Sequence, residues 1–440
     1  MRKRWTLLAL AAAVAGRASA QAPSPLRLGF GDAVRVATGQ APAVTLADLA
    51  GDEARARVRE ARSGLLPSLT AGAAWVNRDF NIKSFGIPLT FPGVSTVVPA
   101  FNNYDTRLTL NQTLFDFSTI QRVHASQAQV ASTLAAGDAT TENAAQAAAL
   151  AYLRAARAQA SVAAREADSA IAAEVLTLAQ AQLRAGVSGT LDVTRAKTQV
   201  AVAAGGLVVA RNQFALARIA LARALGVDPA TDITLTDTLT SSLGVTGVST
   251  DRDSAVAQAL ADRPDLAVER ARADAAQVSR SAIRAELLPR VGLEADYGVN
   301  GQTEPLALGT RQIAVAVTVP LLDGFRREGR EAEQDAVIQE SVVRQKDLRQ
   351  QIAADVSGAL LDLHSAEAQE GIAEEQLALA ADELSQAEQR FKAGVAGNIE
   401  VIDAQASMVK ARDAVIDARY GAAAARVALA RAAGAARTLH

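Results

Sequence analysis

The chain has 440 residues, half of them apolar and 4% aromatic, with 45 basic against 47 acidic side chains and no cysteine. A slightly acidic balance without a basic stripe argues against nucleic-acid binding. The lack of cysteine predicts neither disulfides nor a thioether-linked N-terminal lipid.

Arg2, Lys3 and Arg4 precede an apolar run from Trp5 to Val14 and a small-x-small site at Ala18-Ser19-Ala20. This three-part pattern predicts a secretory signal peptide over 1–20, with the mature chain starting at Gln21. Its removal takes away four positive charges and no negative ones, moving the formal charge from −2 to about −6. The alanine-rich remainder predicts long, closely packed helices. Beyond residue 20 no run of 18 or more uncharged apolar residues occurs, so a membrane span would have to come from a closed β-barrel.

The sequence then repeats itself. The segment from Ala185 to Val193, Ala-Gly-Val-Ser-Gly-Thr-Leu-Asp-Val, returns from Ala393 to Val401 as Ala-Gly-Val-Ala-Gly-Asn-Ile-Glu-Val. The match continues without a gap to Ala217–Ala224 against Ala425–Ala432. Leu65-Leu66-Pro67 likewise pairs with Leu287-Leu288-Pro289, each with a proline upstream, Pro42 or Pro264. Such self-similarity predicts two copies of one unit, 21–226 and 252–434, with a connector over 227–251 and a tail over 435–440.

Each copy reads as helix, two strands, very long helix, turn and long return helix. The strands are expected at about 69–80 and 104–115, then 290–300 and 311–320, joined by loops over 81–103 and 301–310. The helical hairpins are expected at about 118–226 and 325–434. A proline-free stretch such as 118–184 would be about 100 Å long as a helix. The return helices carry heptads, Val193, Val200, Leu207, Phe214 and Leu221 in one and Val401, Met408, Val415, Ala422 and Leu429 in the other, which imply coiled-coil packing. Val291, Leu293, Ala295, Tyr297 and Val299 alternate with small or polar residues, as do Ile313, Val315, Val317 and Val319. That is the pattern of membrane barrel strands. Four strands cannot close a barrel and open edges are not tolerated in lipid, so a membrane reading requires an oligomer. Two chains would give eight strands and three would give twelve; the pattern alone does not choose.

The order and duplication of these motifs resemble the TolC-like outer-membrane efflux proteins, OprM-like members included. The resemblance covers about residues 33–434. It rests on the proline-containing helices ending in Leu-Leu-Pro, on Pro320-Leu-Leu-Asp-Gly324, and on the tip pattern following Arg184 and Lys392 with its acidic continuation. It implies a mainly α protein with a membrane β-barrel: a homotrimer in the outer membrane, with a twelve-stranded barrel in lipid and a twelve-helix periplasmic tunnel. The function implied is the exit duct of a tripartite efflux pump or type I secretion system, without enzymatic chemistry or cofactor. Its partners would be a periplasmic adaptor and an inner-membrane transporter.

The hairpin tips, Gly186, Val187, Ser188 and Gly189 and then Gly394, Val395, Ala396 and Gly397, would contact the adaptor. Their glycines suit the positive φ of a tight helix reversal. Glu400 and Asp403 lie three apart on one helical face, and the resemblance gives these two positions the role of pore constriction, to which Asp192, opposite Glu400 in the repeat, is added from the first copy. Arg195 stands where the second copy has Asp403, so the two hairpins are not equivalent. The three histidines, His124, His364 and His440, are far apart and form no metal motif, and no phosphate loop or nucleophile elbow is present. The alternative is a periplasmic coiled-coil adaptor or structural protein without a barrel.

Overall fold

The computed structural model describes residues 26–86, 96–240, 243–244, 247–395 and 397–440. The expected signal peptide and the tip residue Ala396 lie outside the described residues.

The first unit runs α1 (Phe30–Gln40), α2 (Pro42–Ser63), β2 (Ser68–Asn81), β3 (Val97–Phe115), α3 (Phe117–Arg184) and α4 (Thr190–Leu225). The order recurs as α5 (Arg252–Asp262), α6 (Pro264–Ala285), β5 (Arg290–Gly301), β6 (Leu308–Thr318), α7 (Arg326–Lys392) and α8 (Asn398–Ala433). The single proline-containing helix expected in each copy is two helices. Pro42 and Pro264 occupy the first turns of α2 and α6, where the missing N–H costs nothing, and the preceding residue leaves helical geometry.

Two further differences concern strands. β3 begins at Val97, so the end of the loop expected over 81–103 is strand, and β6 spans Leu308–Thr318, which leaves Val319 outside it. A short parallel pair, β1 (Leu26–Leu28) with β4 (Ile233–Leu235), was not expected, and it places a strand inside the connector. Tyr152 on α3 anchors it: the buried hydroxyl lies 3.2 Å from both the Leu28 carbonyl and the Asp237 carboxylate. Burial raises the Tyr152 pKa above its ordinary value. The C-terminal segment ends in a turn over Ala436–Thr438, held by Arg437 Nε donating to the fully buried Glu142 at 3.0 Å.

The four long strands form one antiparallel sheet in the order β2-β3-β5-β6, leaving β2 and β6 as edges. Register puts Leu69, Leu110, Ala295 and Ile313 in one row and Thr70, Thr109, Asp296 and Gln312 in the next. Since side chains alternate across a strand, the sheet has one apolar and one polar face. The apolar face is open, with Trp75 61% and Ile313 74% exposed. Arg311 shares it, close to the end of β6 at the 301–308 loop.

The helices stand in four columns. Nearest the sheet the order is α2-α3-α6-α7, and beyond it α4-α3-α8-α7. The return helices abut the ends of the shorter ones: α4 ends at Gly226 against Gln40 and Pro42, and α8 ends at Gly434 against Arg263. Both glycines are left-handed, with φ of 75° and 77°. A column therefore consists of α4 stacked on α2, or α8 stacked on α6. The lateral edges of the helix layer are α2 and α4 on one side and α7 on the other, matching the sheet edges β2 and β6. By length and composition alone α4 could cross a membrane; it packs along α3, and its outer face leaves Val202, Val209 and Leu216 exposed.

Candidate functional site

Both tips end their long helix in the same way. The Gly186 N–H donates to the Leu183 carbonyl at 3.1 Å and the Val187 N–H to that of Gln182 at 3.0 Å. Gly394 and Val395 repeat this with Phe391 and Arg390. This paired closure satisfies the last carbonyls of a helix and needs a left-handed residue, here Gly186 at φ 73° and Gly394 at φ 70°. The second glycine of each tip behaves differently from the expectation. Gly189 and Gly397 are extended, at φ −89° and −76°, and serve as helix N-caps, where a lack of bulk rather than positive φ is the requirement.

The tips lean on each other. Gln182 Nε2 donates to the Phe391 carbonyl at 2.8 Å, and Asn398 Nδ2 donates to the Asp192 carbonyl at 2.7 Å. An apolar cluster including Val193, Phe391, Leu384 and Val401 fills the space behind them. Val187 and Val395 project outward, Val395 being 74% exposed. Ser188 is half-buried and its Oγ has no partner among the described residues.

The three acids differ in their surroundings. Glu400 pairs with Arg390 across the second tip, Nε to Oε2 at 3.2 Å. Asp403 is exposed and forms no hydrogen bond or ion pair among the described residues. Asp192 is half-buried, 3.9 Å from Arg195 one turn on. Arg390 was not singled out in the sequence: ten residues separate it from Glu400, and only the reversal of the chain brings them together.

The polar face of the sheet carries its own charge cluster, also unread in the sequence. Arg107 on β3 bonds Asp296 on β5 and lies 3.3 Å from Asp105. Among the described residues no group of three or more His, Asp or Glu side chains is arranged to hold a metal. The arrangement as a whole is a sheet polar on one side and apolar on the other, joined to long hairpins with charged tips.

Comparison with known proteins bears on this shape. The family model described as outer membrane efflux protein matches residues 33–227 and 255–435. The outer membrane efflux protein BepC of Brucella suis is 29% identical over 339 residues, 74% of this chain and 71% of that protein. Protein CyaE of Bordetella pertussis is 28% identical over 60% of this chain and 56% of its own length. Among solved structures, the CmeC outer membrane channel of Campylobacter jejuni superposes with a TM-score of 0.76 at 16% identity, covering 92% of this chain and 86% of that one. CusC gives 0.74 at 20% identity, covering 92% of each chain. These last two show the fold; the family match decides between a duct and the coiled-coil adaptor alternative. The chain belongs to the outer membrane efflux protein family and is an outer-membrane exit duct.

Proposed function

We propose that three copies of this chain close a twelve-stranded barrel in the outer membrane and a twelve-helix tunnel in the periplasm. The observation that carries this reading is the coincidence of open edges. In one chain β2, α2 and α4 lie unpartnered on one side, and β6 and α7 on the other. Each edge exposes apolar side chains, among them Leu46 and Leu49 on the first and Leu361 on α7. A head-to-tail ring satisfies both edges in every copy at once, in the sheet and in the helices together. The apolar face then meets lipid, and the polar face, with Arg107 and Asp296, lines the bore. On this reading the units 21–226 and 252–434, joined through 227–251, each supply half of a chain's share of the wall.

The tunnel's far end is formed by the tips. Gly186 to Gly189 and Gly394 to Gly397 form the docking surface for a periplasmic adaptor that couples the duct to an inner-membrane transporter. Exposed Val187 and Val395 support this. Threefold symmetry turns Glu400, Asp403 and Asp192 into rings of carboxylates, which narrow the passage and favour cations. The chain conducts and carries out no chemistry.

Two measurements test the reading. The mature chain, extracted from outer membranes in mild detergent, is expected to give a three-chain native mass; a single-chain particle overturns the barrel. In planar bilayers, Glu400→Ala with Asp403→Ala is expected to raise conductance and lower cation selectivity. If both stay unchanged, the acids are not the constriction.

A further inference from the structure

Where the sheet passes into the helices, a cavity of about 360 Å³ is lined by five arginines, Arg122, Arg290, Arg326, Arg327 and Arg330. Three acids share it: Asp116, Glu286 and Asp323. The lining therefore carries two more positive than negative charges. Three of the arginines are accounted for, at least in part. Arg330 binds both oxygens of Glu286 at 2.9 and 3.0 Å, and Arg122 lies 3.5 Å from Asp116. Arg327 donates from Nε to Asp323 at 2.7 Å.

What remains is unpaired. Arg327 is only 6% exposed, and its Nη1 has no partner among the described residues. Arg290 and Arg326 form no hydrogen bond or ion pair among the described residues. A buried guanidinium nitrogen without an acceptor is costly, and two exposed, unpaired arginines lining the same cavity suit an oxyanion.

The internal repeat shows that this is not a requirement of the fold. Leu65-Leu66-Pro67 aligned with Leu287-Leu288-Pro289 places Ser68 opposite Arg290, and Phe117 aligned with Phe325 places Ser118 and Thr119 opposite Arg326 and Arg327. The same positions are three hydroxyl residues in one copy and three arginines in the other. The helix starts differ as well. Asp116 caps α3 by accepting from the N–H groups of Ser118 and Thr119 at 2.9 and 3.2 Å. In the second copy Gly324 is an additional residue, Asp323 turns to Arg327, and the N-cap position of α7 is Phe325, which has no side chain able to cap. The positive end of α7 adds to the field in the cavity.

We propose that this cavity is an oxyanion site that takes a phosphate-class group, bound by the exposed Arg290 and Arg326, with the buried charge of Arg327 behind them. Arg290 and Thr318 are register partners on the polar face, so in the barrel proposed above the site opens toward the bore at its periplasmic end. Only that placement rests on the trimer, because all the lining residues belong to one chain. The group comes either from a solute in the bore or from a lipid headgroup at the rim.

The test uses the full chain in detergent, with thermal unfolding followed in sodium phosphate against sodium chloride at equal ionic strength. A second arm compares mixed micelles of short-chain phosphatidylglycerol and phosphatidylcholine. Arg290→Ser with Arg326→Ser gives these exposed positions the first copy's residues and leaves the buried Arg327–Asp323 pair intact. The wild type is expected to be protected by phosphate or by phosphatidylglycerol, and the double variant to need roughly tenfold more of the same probe, the loss of about one charge-assisted hydrogen bond. Protection by phosphate assigns a solute; protection by phosphatidylglycerol alone assigns a headgroup. No protection in either arm, or equal protection of the double variant, overturns the site. Native mass measured on the same sample reports separately on the trimer.

Discussion

Asn398 Nδ2 donates to the backbone carbonyl of Asp192 at 2.7 Å, tying the start of α8 in one copy to the first turn of α4 in the other. Asn398 is fully buried, whereas Thr190, at the same place in the first copy, is exposed. The repeat has thus been broken at the point where the two hairpins meet.

Asn398→Ala removes this donor and leaves the Asp192 carbonyl with its intrahelical partner alone, at a net cost of about 1 kcal/mol. The effect is expected to be local. Hydrogen exchange should speed up at the amides of 190–196 and 398–404 and stay unchanged near Tyr152. Uniform exchange across the chain would mean that the bond does not join the tips.

Gly226 and Gly186 separate two contributions that usually come together. Both are left-handed, at 75° and 73°. A Cβ on Gly186 would meet nothing within 4 Å, whereas one on Gly226 would lie 2.6 Å from the Gln40 carbonyl oxygen. Gly186→Ala should therefore cost only the conformational term, about 1–2 kcal/mol. Gly226→Ala adds a clash with backbone that cannot move aside, and a loss above about 3 kcal/mol is expected, comparable with severe core changes. Denaturant midpoints for the two variants check the ranking; equal losses would mean that the column junction is looser than its geometry.

Much of this fold was legible because its signals are local. A stretch free of proline from 118 to 184 has no reason to break, and α3 spans Phe117–Arg184. Alternation over ten residues set the face of β5 and β6 before any partner was known. What was missed depends on residues far apart in the chain. β1 and β4 are three residues each and too short to show a period, and they pair across some two hundred positions. The Arg390–Glu400 pair, the Arg107–Asp296 contact and the cluster of arginines at the base of the sheet are assembled only by the folded chain. Their residues look like ordinary surface charges until the hairpins and sheet bring them together.

Arg390→Ala tests whether Glu400 belongs to the passage. The pair is exposed, with side chains 58% and 45% accessible, so its loss should change stability by less than about 1 kcal/mol. If Glu400 lines the passage, removing the arginine leaves its carboxylate without a counter-charge, and cation selectivity in bilayers is expected to rise. The same substitution in a Glu400→Ala background should have no such effect. If selectivity were insensitive to Arg390 in both backgrounds, Glu400 would lie outside the conducting path.

Asp116 gives a prediction with a definite sign in pH. Burial opposes its ionised form, but hydrogen bonds from Ser118 and Thr119, with the nearby Arg122, outweigh that and hold its pKa below the ordinary 3.8. A carboxyl depressed in the folded state stabilises fully above its unfolded pKa, and that contribution is lost as pH falls through the folded value. Asp116→Asn keeps a good capping acceptor without the titration, whereas Asp116→Ala removes the cap of α3 and should cost about 1 kcal/mol. Melting curves from pH 6 down to pH 3 should show wild type losing its advantage over Asp116→Asn below about pH 4. The gap to Asp116→Ala should narrow over the same range. Parallel profiles for wild type and Asp116→Asn would mean that the ionised cap contributes nothing to holding the start of the long helix beneath the sheet.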